Sequence, residues 1–561
     1  MPNVPLTNRS SHRDHMENID IAVVGTGPAG LVALKSLKEQ GFNVVAFERR
    51  ESVGGLWSYS GNTDYTTALD DTTVNVSKFV TIRLFHLGDK CSSISRHTRH
   101  ILIFTGTSDL ESQYTRFCET RRILDGTFII QIPTKKLYFL FTKCYKKSGL
   151  AGKRVMVVGI GNTGCEIALS LCKHVSETYL AYRRGRILVS RYEKNGVPTD
   201  SQIPWPVLRL KYLMDYYLPS LSKWATDKFM ITKMIQDAAK HEPGGEIISE
   251  KQRLHVAERR VRGEWRLVPC PSMAHRNPAV QEAIFPAFHN NDITPVHGFV
   301  DFAGEHTVLL ADGTTVEVDA VIFATGYRHD FSIMPELEMD GAAGMELQRA
   351  ETTERERNEE DKTQQPKLPR LYQMIFPPKR ASSIAFLSWL APQENVWCVC
   401  ELASMAVAQV WVAESSLEQR HNLPTSRRPY SFLPPEKEME AEVDSYHTWW
   451  RKEWKADHSI MEGYVRGHNF YRFLHEMAGT GLYTYLDHPL SIKGWWLWWK
   501  DRNLWRWLAK GPMNSYSWRL FDTNPGDIPA CGRKCWKGAR AAVQEAYEEL
   551  EKLRELKAKN D

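Results

Sequence analysis

The chain has 561 residues, a formal charge of +5, and 42% hydrophobic against 25% charged residues, a globular balance with length for about two to four domains. So small a basic excess gives no argument for nucleic-acid binding. Ten cysteines are scattered without CxxC or zinc-site spacing, which points to reduced thiols in a cytoplasmic protein with no metal centre.

Residues 1–19 read as a polar tail without the apolar stretch of a signal peptide. No run of about eighteen apolar residues stands out, which by this reading excludes a membrane-spanning helix. Residues 21–57 carry the strongest pattern. An apolar strand (Ile21, Ala22, Val23, Val24) runs into Gly25, Thr26, Gly27, Pro28, Ala29 and Gly30, then into a helix with Leu31, Leu34 and Leu37 on one face. A second apolar run at 44–47 ends in Glu48, about twenty residues past the first glycine, as a dinucleotide-binding βαβ unit requires. GxGxxG alone is weak evidence, but the complete strand–turn–helix–strand context makes it strong. The helix start would face a pyrophosphate with unpaired N–H groups, and Glu48 would accept ribose hydroxyls. Gly54, Gly55, Leu56 and Trp57 just after the acid tilt the choice of nucleotide toward FAD.

Residues 72–80 (TTVNVSKFV) form a short β-like run around Asn75. Residues 84–142 show β-like patches at 101–104 and 127–132 but little sustained periodicity, so no core strand is expected there. Order returns at 154–172, where an apolar strand meets Gly159, Gly161 and Gly164 and then a helix with Ile167, Ala168, Leu169 and Leu171. The following strand ends in Arg183 and Arg184, where the first unit ends in an acid. Arginines there remove repulsion and offer bidentate donors to a 2′-phosphate, which favours NADPH over NADH. Two such units in one chain suggest a flavin oxidoreductase in which hydride passes between the cofactors.

Residues 204–297 read as an inserted helical region. Asp312-Gly313 marks a hairpin turn, 320–323 a buried strand, and Ala324-Thr325-Gly326-Tyr327 a glycine turn at its end. Residues 346–367 are a charged linker. A long helix over 400–412 is read as core. Among 18 tryptophans, Trp495, Trp498, Trp499 and Trp505 fall with Leu508 on one side of a helix that also carries Lys500, Arg502 and Arg506. Such a helix is compatible with peripheral membrane contact, although packing onto its own protein is the commoner arrangement. Residues 540–559 read as an exposed charged helix.

GTGPAG with Glu48, GGLW at 54–57, VNVSK at 74–78, GLAGKRVMVVGIGNTG at 149–164, RRG at 183–185 and ATGY at 324–327 occur in one order, and together they resemble the flavin-containing monooxygenases, with a fungal dimethylaniline-monooxygenase-like character. The resemblance implies an α/β fold of two Rossmann-like dinucleotide-binding domains. A discontinuous FAD domain (20–142 and 306–414) would hold an inserted NADPH domain (149–305), followed by a Trp-rich helical C-terminal region (415–561). It implies that NADPH reduces FAD and that the reduced flavin takes up O2. The flavin hydroperoxide then oxygenates a soft nitrogen or sulfur of a small molecule, in secondary metabolism by this reading. By the same resemblance Gly25, Thr26, Gly27, Pro28, Ala29, Gly30, Glu48, Leu56, Trp57, Val74 and Val76 would hold FAD. Asn75 would be the catalytic asparagine between flavin and nicotinamide. Gly159, Gly161, Thr163, Gly164, Cys165 and Glu166 with Arg183 and Arg184 would hold NADPH.

The resemblance lapses over 84–142. Of the family signature FxGxxxHxxxY only Tyr145 matches, with Phe141, Leu137 and Lys135 in the other places. That keeps two alternatives open, a Baeyer–Villiger monooxygenase acting on ketones and a catalytically defective relative that binds dinucleotide only. A disulfide reductase would need a cysteine pair beside the flavin.

Overall fold

The structure, a computed structural model, describes residues 20–48, 50, 52–58, 94–95, 102–105, 138–141, 149–192, 197–243, 249–326, 368–387, 389–415, 433–486, 491–511, 514–521 and 536–560. Its strands in chain order are β1 (Ile21–Val24), β2 (Val44–Phe47), β3 (Ile94–Ser95), β4 (Leu102–Thr105), β5 (Tyr138–Phe141), β6 (Arg154–Val158), β7 (Glu177–Tyr182), β8 (Leu188–Val189), β9 (Ala279–Val280), β10 (Thr294–His297), β11 (Phe299–Phe302), β12 (Thr307–Leu310), β13 (Thr315–Glu317), β14 (Ala320–Phe323) and β15 (Ile384–Phe386). The helices are α1 (Pro28–Glu39), α2 (Asn162–Leu171), α3 (Trp205–Tyr217), α4 (Pro219–Ala239), α5 (Glu250–Arg259), α6 (Ile284–His289), α7 (Val396–Ser415), α8 (Glu436–Ala456), α9 (Gly467–Met477), α10 (Leu482–Leu486), α11 (Ile492–Lys500), α12 (Arg502–Lys510) and α13 (Ala539–Asn560).

Two sheets carry the two glycine turns. The first has the order β15-β4-β1-β2-β3, with β1, β2 and β3 parallel, β4 antiparallel to β1, and β15 antiparallel to β4. The second, β10-β7-β6-β14-β5, is parallel throughout. Both β1 and β6 are central strands with a fully buried middle, which explains their unbroken apolar runs: a strand covered on both faces has no polar side to alternate with. The chain leaves the first sheet, builds the second, and returns to the first with β15 and α7, so the α/β fold is two Rossmann-like units with the first one discontinuous. The expected segment limits shift, because β5 (within 20–142) and β14 (within 306–414) both pair in the second sheet.

In the block 84–142 the β-like patch read at 101–104 is a strand, and it corrects the expectation that no core strand lies there. It supplies β4 between β1 and β15, and Leu-Ile-Phe-Thr is too short a run to show a period. The patch at 127–132, Tyr145, Tyr327 and the stretch 346–367 lie outside the described residues.

Helix α7 corrects the expectation about membrane spans. Val396–Ala413 is long and apolar enough to cross a bilayer, with a mean hydropathy of 1.6 over 18 residues, yet 83% of it is buried inside the protein. It packs along α1, and Lys35 Nζ meets Glu401 Oε1 at 3.0 Å between them. The tryptophan-rich C-terminal helices join the same core: Trp411, Trp450, Phe470, Leu474 and Trp518 cluster with Ile21, Leu37 and Trp205.

The single amphipathic tryptophan helix is instead two short helices. Asp501, with φ −142° and ψ 77°, breaks the run and caps α12, its Oδ1 accepting from Leu504 N at 3.0 Å and from Arg540 Nη2 at 3.1 Å. Trp495 and Trp499 face solvent on α11, whereas Leu508 is buried on α12. Helix α13, read as wholly exposed, buries Val543, Ala546, Tyr547 and Leu550. Its charged residues hide that stripe from a composition-based reading.

Asp501→Ala removes the cap and the Arg540 partner, and should lower stability by about 1–2 kcal/mol. The bond from Arg540, opposed only in part by burial, holds the Asp501 carboxyl below its ordinary value of 3.8. Its contribution is therefore present above that pH and lost as pH falls through the depressed folded value. Urea unfolding should separate wild type and variant at pH 7 and bring them together in strong acid.

Candidate functional site

The first turn is built on close approach. Gly25 has φ +92°, which L side chains rarely adopt, and a Cβ placed on Gly30 would lie 1.9 Å from the Gly25 carbonyl oxygen. The helix start therefore sits directly against the strand end, with Pro28 in its first turn. The unpaired N–H groups at the head of α1 are left for a phosphate.

Glu48 is buried at 4% exposure. Its Oε2 accepts from Thr26 N and Thr26 Oγ1, both at 2.7 Å, and its Oε1 accepts from Arg50 N at 3.0 Å. The acid expected to meet a ribose thus also braces the glycine turn. The 54–57 segment folds onto that turn. Gly54 N donates to Thr26 O at 2.9 Å, and a Cβ on Gly55 would stand 3.0 Å from Gly27 Cα. Arg50 donates to the carbonyls of Gly55 and Ser58. Trp57 stands edge-on to Trp397 at the head of α7, with 5.1 Å between ring centroids. Sequence reasoning missed Arg50 and Trp397. The buried arginine beside the acid was a usable signal, but Trp397 lies too far along the chain to have given one.

The second turn repeats the construction. Gly159 has φ +122°, a Cβ on Gly164 would lie 1.8 Å from the Gly159 carbonyl oxygen, and one on Gly159 would lie 2.3 Å from the Ala324 carbonyl oxygen. The expected glycine turn at 324–326 is therefore seated against Gly159. Thr163 is exposed at the head of α2, and Glu166 Oε1 accepts from Gln281 Nε2 at 3.4 Å. Cys165, in the same first turn of α2, faces inward. Its side chain is fully buried in the second core and burial pushes the thiol up to about 12, because the helix face that packs on the sheet is the one this residue occupies.

At the end of β7 Arg183 and Arg184 are both exposed. Arg184 Nη1 reaches Asp457 Oδ1 at 2.8 Å. Behind them Arg186 is lowered to about 10 by burial and by the neighbouring Arg276. A further network fixes the loop ahead of α7. Glu394 accepts from the Tyr212 hydroxyl, Lys211 Nζ donates to Gln393 Oε1 at 2.7 Å, and Asn277 Nδ2 donates to Pro392 O at 2.9 Å. Burial raises the Glu394 carboxyl to about 7, against the bond from Tyr212. The structure brings together Gly25–Gly30 with Glu48 and Trp57 in one cradle, and Gly159–Gly164 with Arg183 and Arg184 in another. Val74, Asn75, Val76 and the Leu56 side chain lie outside the described residues.

Both turns fit a dinucleotide, because each leaves a Cβ-free approach to a helix N-terminus. Gly30→Ala should weaken FAD binding by about tenfold or more, read as flavin retained through gel filtration, with NADP⁺ affinity unchanged. Gly164→Ala should do the reverse. Full flavin retention in Gly30→Ala would contradict the close-approach account.

Two family models match the chain: one described as Flavin-binding monooxygenase-like over residues 131–341, and one described as Pyridine nucleotide-disulphide oxidoreductase over residues 19–196. The chain is 29% identical to Monooxygenase aurF of Gibberella zeae, covering 94% of this chain and 97% of that protein. It is 23% identical to human Flavin-containing monooxygenase 2, covering 93% and 90%. A solved structure of S-allyl-L-cysteine S-oxygenase from Allium sativum superposes with a TM-score of 0.44 at 14% identity, over 95% of this chain and 98% of that one. Sequence matches that begin in the first glycine unit and continue through the second, on a fold that holds both cradles, make the chain similar to the flavin-containing monooxygenases and support a flavin-dependent monooxygenase that uses FAD and NADPH.

Proposed function

We propose that this monooxygenase oxygenates a soft nucleophile, an amine nitrogen or a sulfur, of a small molecule, in secondary metabolism. The observation that carries this reading is the near full-length match to proteins named Dimethylaniline monooxygenase [N-oxide-forming] 2, such as that of Mus musculus at 23% identity over 93% of this chain. The balance is NADPH, a proton, O2 and substrate going to NADP⁺, water and oxygenated substrate. Bound FAD, when reduced, supplies the oxygen activation.

The chain's own residues do the rest. The head of α1 and the turn at 25–30 bind the FAD pyrophosphate, and Thr26 is held in place by Glu48. Trp57 and Trp397, edge-on to each other beside the first cradle, would border the bound flavin and limit water there. The head of α2 binds the second pyrophosphate, and Arg183 with Arg184 binds the 2′-phosphate. Asn75, by the family resemblance, would act on both flavin and nicotinamide. A cytoplasmic location belongs to this reading. So does peripheral contact with a membrane surface through α11, where Ile492, Trp495 and Trp499 are exposed and Lys500 lies 4.5 Å over the Trp496 ring.

The test is product formation from matched tertiary-amine, thioether and cyclic-ketone probes with NADPH in air. N-oxide or sulfoxide is expected. Lactone alone would replace this reading by a Baeyer–Villiger one, and no product from any probe by a defective relative. Asn75→Ala should still consume NADPH but release hydrogen peroxide in place of product, and unchanged coupling would remove Asn75 from the mechanism.

A further inference from the structure

Arg183 and Arg184 are neighbours in sequence but not in surroundings. Among the described residues no carboxylate reaches Arg183, which is exposed. Arg184 is paired: its Nη1 donates to Asp457 Oδ1 at 2.8 Å, across a separation of 273 residues. Asp457 follows directly on α8 and belongs to the C-terminal region. Its carboxylate is held at both oxygens. Oδ1 also accepts from Ser459 N at 3.0 Å, and Oδ2 faces His275 Nδ1 at 3.4 Å. His275 in turn meets Glu453 Oε2 at 2.9 Å and Lys223 Nζ at 3.5 Å. The Asp457 side chain is the more buried partner, 16% exposed against 48% for Arg184. Burial alone would raise its pKa, but the bonds from Arg184 and Ser459 outweigh that and hold the carboxyl well below the usual range. At neutral pH a full negative charge therefore stands at the guanidinium assigned to the phosphate.

We propose that Asp457 is a specificity-determining residue for the nicotinamide cofactor: it holds Arg184 to a resident carboxylate, so that a 2′-phosphate must compete for that guanidinium while Arg183 carries phosphate recognition. This rests on the reading of Arg183 and Arg184 as the 2′-phosphate end. A phosphate brought to Arg184 meets the Asp457 charge within a few ångströms, a repulsion worth most where water is partly excluded. A ribose 2′-hydroxyl brings no charge and can donate to the same carboxylate. Asp457 therefore weakens NADPH binding selectively and leaves NADH binding almost untouched. The C-terminal region, with no sequence motif for nucleotide, sets the preference of a domain that precedes it in the chain.

The experiment is calorimetric binding of NADP⁺ and NAD⁺ to the purified oxidised full-length protein, with far-UV circular dichroism confirming the fold of each variant. Asp457→Asn keeps the shape and the acceptor oxygen but removes the charge. It should tighten NADP⁺ by about tenfold and change NAD⁺ by less than about twofold. Asp457→Ser should shift the ratio the same way, so the test survives misfolding of the first variant, and Asp457→Glu should keep the wild-type ratio. Arg183→Ala should weaken NADP⁺ by about tenfold, and Arg184→Ala should cost more in the Asp457→Asn background than alone. An unchanged ratio in Asp457→Asn, with Arg183→Ala still collapsing it, overturns the inference and leaves the phosphate reading intact. No effect of Arg183→Ala or of the double arginine variant on the ratio overturns the phosphate reading itself. Weaker NADP⁺ binding in Asp457→Asn would make the carboxylate an aligner of Arg184 and would also overturn the proposal.

Discussion

The contact of a helix start with the carbonyl of the first glycine in its own turn governs this molecule. At Gly30 and at Gly164 there is no room for a methyl group, since the nearest carbonyl oxygen would lie 1.9 Å and 1.8 Å away. That proximity aims the N–H groups of α1 and α2 past the ends of β1 and β6. Everything around the two cradles follows from it. The 54–57 segment can settle on the first turn only because Gly27 and Gly55 are bare, and Ala324 can close on the second only because Gly159 is bare.

The second level of organisation is the return of the chain. After the second sheet is finished, β15 and α7 come back to the first, and α7 lies against α1 with an ion pair between Lys35 and Glu401. The loop ahead of α7 is then bonded from three directions, by Asn277, by Lys211 and Tyr212, and by Tyr464. The C-terminal helices complete the same core and supply Asp457 to Arg184. A region without nucleotide motifs is thereby tied to both nucleotide units.

The glycine turns were legible because they depend on backbone geometry, which a one-residue spacing pattern records directly. The place of Arg183 and Arg184, exposed just after a strand, was legible in the same way. Strand β4 was legible only as a β-like patch at 101–104: four residues cannot display a period, and its place in the sheet is set by partners far along the chain. The break at Asp501 was hidden for another reason. Tryptophans on both sides give one helical face on paper, but an aspartate that can cap the next turn and bind Arg540 starts a new helix there. The burial of the Cys165 side chain was not legible either, because matching a motif does not say which face of α2 meets the sheet. The partners of Trp57 and Arg184 come from residues hundreds of positions away, and only the folded chain brings them together.

The central claim is that one chain holds both cofactors close enough for hydride to pass from nicotinamide to flavin. An anaerobic titration of the purified, FAD-reconstituted protein with NADPH, followed by flavin absorbance, tests this most directly. The account predicts that flavin absorbance is lost in proportion to NADPH added and returns when air is admitted. A protein that retains no FAD, or whose bound flavin keeps its absorbance under excess NADPH, would contradict it.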